Sequence, residues 1–64
     1  DILREAEELY QEAIEIDPDY APAYNNLALL LGNNLETFVT TEGSKEDILR
    51  EAEELYQEAI EIDP

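Results

Sequence analysis

The sequence has no cysteine, histidine, methionine or tryptophan, and only three basic residues among 64. Without cysteine no disulfide can staple a small fold, and without histidine as well there is no soft ligand set for a structural zinc. No apolar run approaches the roughly 18 residues needed to cross a bilayer. The opening Asp1-Ile2-Leu3-Arg4-Glu5 lacks the basic-then-apolar order of a signal peptide. Set against the few Lys and Arg, 18 acidic residues leave a formal charge of −15. Such a field repels nucleic-acid phosphates and anionic headgroups, so neither nucleic acid nor membrane is expected as a partner. It favours basic partners, divalent cations and plain solubility. A chain of this length buries only about 60% of the surface its unfolded form exposes. Its stability must come from closely packed helices or from neighbours.

Catalytic groups are equally scarce. Ser44 is the only serine and Lys45 the only lysine, with no imidazole or thiol to activate either. Gly32 and Gly43 stand alone, so no phosphate-binding glycine loop exists. The carboxylate pairs Glu7-Glu8 and Glu53-Glu54 are expected on the solvent faces of helices, where no raised pKa would fit them for acid–base work. Asp17-Pro18-Asp19 lacks the alternating ligand spacing and central glycine of a calcium loop. No catalytic residue, metal or cofactor is therefore expected.

What the chain does contain is a repeat. Residues 1–18 read DILREAEELYQEAIEIDP, and residues 47–64 read the same, letter for letter. The offset, 47 − 1 = 46, makes 19–64 one complete unit preceded by the last 18 residues of another. Identity at this level fits a recently duplicated or consensus-designed sequence, shown as part of a longer array.

Two helices are expected within the unit. Ile48, Leu49, Ala52, Leu55, Tyr56, Ala59, Ile60 and Ile62 follow a 3.6-residue rhythm and make one apolar face. Gly43 supplies a turn, Ser44 a cap and Asp47 the fourth position of a capping box, so this helix B spans about 45–62. Glu46 and Arg50 are spaced as a favourable i,i+4 pair. Upstream, Ala23, Tyr24, Leu27, Ala28, Leu30, Leu31, Leu35, Phe38 and Val39 continue one stripe from about 20 to 41. Gly32-Asn33-Asn34 interrupts it with three poor helix formers. One long helix A, bent near Gly32, is the expectation, because it matches helix B in length. Tyr10, Tyr24, Tyr56 and Phe38 fall in the interhelix seam and Tyr20 outside it.

Ala21-Pro22-Ala23-Tyr24-Asn25-Asn26-Leu27-Ala28, followed by Ala52, Tyr56, Ala59 and Pro64, resembles a tetratricopeptide repeat. The resemblance implies an all-α chain of antiparallel helix hairpins in the order B-A-B, stacking as a right-handed α-solenoid. The family's usual repeat has about 34 residues, so this unit is 46 − 34 = 12 longer, an excess expected at the hairpin tip.

By the same resemblance, Pro22, Asn25, Leu29, Gly32 and Asn33 face a peptide groove. Asn26 matches an asparagine with which relatives clamp a peptide carboxylate. The clamp's cationic members have no match here, so a basic or neutral peptide is the better ligand. The leading expectation is a non-enzymatic scaffold whose partner is itself, by end-to-end stacking. The alternative is a peptide-binding module using Pro22, Asn25, Asn26, Leu29 and Asn33.

Overall fold

Both copies of the repeated string are helical. The computed structural model describes the backbone of residues 1–64 and every side chain except those of Thr40 and Thr41. Among the described residues the fold is all-α, with no strand: α1 (Ile2–Ile16), α2 (Ala21–Asn33), α3 (Leu35–Glu42) and α4 (Lys45–Ile62).

The two copies start differently. Asp1 caps α1 from outside, its Oδ1 accepting from the Leu3 N–H at 3.1 Å. Its counterpart Asp47 lies within α4 and closes the expected capping box. There Ser44 Oγ accepts from the Asp47 N–H at 3.2 Å, and Asp47 Oδ2 from the Ser44 N–H at 3.3 Å. They end alike, the Asp17 N–H on Ala13 O at 2.9 Å and the Asp63 N–H on Ala59 O at 3.0 Å. The expected Glu46–Arg50 pair is replaced, since Arg50 lies nearer Asp47, Nη1 to Oδ1 at 3.9 Å with both side chains exposed. A pair so placed contributes little.

The single long helix expected over 20–41 is two helices. Asn34 leaves helical geometry at φ −133° and ψ 42°, ending α2 and starting α3. Its Nδ2 donates to Leu30 O at 2.8 Å, so the side chain makes a bond that competes with the helical ladder. Its own carbonyl accepts from the Thr37 and Phe38 N–H groups at 3.0 and 3.3 Å, which seeds α3. The interruption expected from Gly32-Asn33-Asn34 is real, and it falls at Asn34 rather than Gly32. The break turns α3 back so that Phe38 lies wholly buried against Ile48. Leu35 and Val39 pack around them, so the residues of the stripe are buried although their helix is broken.

α2 holds the centre, with α1 on one side and α4 on the other, while α3 closes onto α4. The core is Leu27 and Leu31 of α2 with Phe38 and Ile48, joined by Leu3, Tyr10 and Ile14 of α1. Buried Ala23, Ala28 and Ala52 keep the helices close. Tyr24, also buried, donates its hydroxyl to Pro18 O at 2.9 Å and so pins the α1–α2 turn. Its burial, with Glu58, Asp19 and Asp17 nearby, raises the phenol above its ordinary pKa and keeps it a donor. The Cα envelope measures 31 × 22 × 15 Å. With helices about 10 Å across, the shortest dimension leaves no further layer to cover the broad faces.

Three substitutions test this account by urea denaturation. Phe38→Ala is expected to cost about 3–5 kcal/mol, enough to abolish the cooperative melt of so small a chain. Gly43→Ala should destabilise by about 1–3 kcal/mol, because φ +137° disfavours any side chain. A Cβ there would also meet Asp47 Oδ2 at 3.1 Å. Gly32→Ala should act oppositely and stabilise by about 0.4–1 kcal/mol, as its Cβ would meet nothing within 4 Å in a helical position.

Candidate interaction surface

The repeated string carries two apolar stripes, and each copy has a different one covered. In α4, Ile48 and Ala52 are buried and Leu55 and Ile62 partly so, while Leu49 is exposed and Ile60 is 62% exposed. In α1 the counterparts of the first set, Ile2 and Ile16, are 81% and 77% exposed and Leu9 is open too. The counterparts of the second set, Leu3 and Ile14, pack into the core with Tyr10. The single apolar face expected for helix B is thus two faces. One is turned inward on each helix.

The outer stripe of α4 forms one wall of a long hollow beside α2. Toward one end a concavity of about 420 Å³ is lined by Ala21, Pro22 and Asn25 of α2 and by Tyr56, Ala59, Ile60 and Asp63. Toward the other, about 390 Å³ is lined by Ala28, Leu29, Gly32 and Asn33 with Leu49, Ala52, Glu53, Tyr56 and Gln57. Tyr56 borders both. Of the residues singled out from sequence, Pro22, Asn25, Leu29 and Asn33 therefore lie along this hollow, all exposed. Asn26 is exposed but lines neither concavity. The α4 wall of Leu49, Tyr56 and Ile60 was assigned by sequence to the inner face. Comparison with Leu3, Tyr10 and Ile14 is the signal that identifies it. Tyr20 is 52% exposed, and Tyr10, Tyr24 and Phe38 lie in the seam as expected.

Glu7 departs from expectation. It does not lie on a solvated face but is buried, only 5% exposed, because it falls on the covered stripe of α1 between Leu3 and Tyr10. Its Oε2 has no hydrogen-bond partner among the described residues. Burial, then a side-chain hydrogen bond with Glu42 and repulsion from it, push the Glu7 carboxyl up to about 7. Arg4 opposes this and Glu51 adds to it. Glu51 is itself raised, by burial and by Glu42 and Glu54. Glu7–Glu8 and Glu53–Glu54 thus differ despite identical letters, since Glu53 is exposed. Among the described residues no group of acidic side chains is arranged to hold a metal. Ser44 is occupied as a helix cap.

Because the folded-state pKa of Glu7 is raised, its protonation favours the folded state. That contribution is fully present below about 4.5 and lost as pH rises through about 7. Glu7→Gln should therefore stabilise the chain above pH 7 by about 1–3 kcal/mol and change little in acid. Glu53→Gln, at the exposed copy of the same position, should leave urea midpoints unchanged across that range.

Residues 9–38, which cross the Asp17-Pro18 turn and take in all of α2, match the tetratricopeptide repeat family. No curated protein and no solved structure gives a match. None of the helices is long and apolar enough to cross a membrane among the described residues. Residues 9–38 are thus similar to a tetratricopeptide repeat, and the all-helical fold is consistent with that likeness.

Proposed function

We propose that this protein-interaction scaffold takes a second copy of itself as partner, stacking end to end through the outer stripe of α4. The observation that carries the reading is the equivalence of Leu49, Tyr56 and Ile60 with Leu3, Tyr10 and Ile14. The first set lines an open hollow; the second is already packed on a helix of this same chain. A stripe whose twin is seated on α2 has the shape and chemistry for another α2. The 46-residue unit 19–64, α2 with α3 followed by α4, is the natural module of such a stack, and the identity of the 18-residue strings suits a duplicated or designed array. Nothing in the chain suggests catalysis.

Charge sets the conditions. Two chains of −15 repel, so association should strengthen with added salt as the field is screened. A basic or neutral extended peptide is the second reading, because Pro22, Asn25, Leu29 and Asn33 share one hollow with an apolar α4 wall.

The test is a circular dichroism melt across about a hundredfold range of concentration, with mass from light scattering. Midpoint and mass should rise together, more steeply in high salt. The pair Leu49→Glu and Ile60→Glu should remove the concentration dependence while leaving the monomer's helicity intact. A monomer at every concentration that captures a basic or neutral peptide saturably would transfer the function to the peptide reading.

A further inference from the structure

The outer stripe of α4 needs a helix of the α2 kind, yet every α2 already carries an α1 on the matching side. We propose that α1 is a replaceable occupant of that seat, and that copies join by helix exchange: the α4 of one chain takes the α1 seat on α2 of the next. The proposal rests on the stacking reading above and specifies its contact.

Sequence identity makes the exchange like for like. Leu49, Glu53, Tyr56 and Ile60 would enter where Leu3, Glu7, Tyr10 and Ile14 leave, with Arg50 in the place of Arg4. The incoming Glu53 faces the receiving chain's Glu42 and Glu51 just as Glu7 does, so no new repulsion arises within the seat. The incoming α4 gives up nothing at home. It stays on its own α2 and α3 through Ile48, Ala52, Leu55 and Ile62, the stripe that α1 leaves open as Ile2, Leu9 and Ile16.

The rival contact, α4 laid against the outer stripe of the next chain's α1, meets an electrostatic obstacle. That stripe is bordered by exposed Glu5, Glu8, Glu12 and Glu15, and the approaching helix brings Glu53, Glu58 and Glu61. Residues 21–33 of α2 contain no charged side chain. An acidic helix is therefore better received by α2 than by another copy of itself. α1 also carries a cost that α4 lacks: it buries a carboxylate with an unpartnered oxygen, whereas the equivalent Glu53 of α4 is exposed.

Amide hydrogen exchange by NMR on the unmodified chain, at concentrations where scattering reports monomer and then assembly, reads the seat directly. On assembly, exchange predicts a several-fold loss of protection along α1 and a gain along α4. Protection rising along both helices would overturn the exchange while leaving stacking in place. No rise in mass at any concentration would overturn both. A second variant gives an independent reading. Ile2→Glu with Leu9→Glu, on the exposed stripe of α1, should leave assembly undiminished; its loss would show that α1's outer stripe is the contact and that the exchange is wrong.

Discussion

The structure depends on one helix having to serve two neighbours. α2 lies between two copies of the same amphipathic helix, and its Leu27 and Leu31 join Phe38 and Ile48 in a core that also receives Leu3, Tyr10 and Ile14. In so short a chain there is no second core to fall back on. The buried alanines, the Tyr24 bond to the turn and the backward step at Asn34 all serve to bring side chains onto this one seam.

The step at Asn34 sets where Phe38 lies. A straight helix from 20 to 41 would run about 33 Å at 1.5 Å per residue, longer than α4, and carry Phe38 past the core. Ending α2 at Asn33 and restarting at Leu35 makes a separate α3, which packs on α4. The cost is modest, since the Asn34 side chain and carbonyl satisfy the backbone groups that the break would strand.

Electrostatics runs against this chain at most points. The last turns of α1 and α4 hold no basic residue to complement the helix dipole, and the Arg50–Asp47 ion pair is long and exposed. Burial of Glu7 adds a carboxyl that is better accommodated protonated. A molecule so arranged is held by apolar packing, and it has apolar surface left over on both twins. The surplus stripes and the negative field act in opposite directions on self-association, which is why salt is the natural control.

Much was legible in the letters. Periodicity, the Ser44–Asp47 box, the Asp-Pro stops and the tetratricopeptide pattern are local properties, and each leads to the helices and turns observed. The hollow beside α2 was half legible: Pro22, Asn25, Leu29 and Asn33 were named, but their α4 wall was not, nor was the burial of Glu7. Residues 1–18 and 47–64 have the same periodicity and the same internal propensities, so sequence alone determined that both are amphipathic helices with apolar residues in excess of one face. It could not assign them different inner faces. Only the tertiary structure decided that α1 turns Leu3, Glu7, Tyr10 and Ile14 toward α2 while α4 turns Ile48, Ala52, Leu55 and Ile62, because which stripe is buried depends on the side from which α2 approaches, and that is a property of the packing rather than of either string.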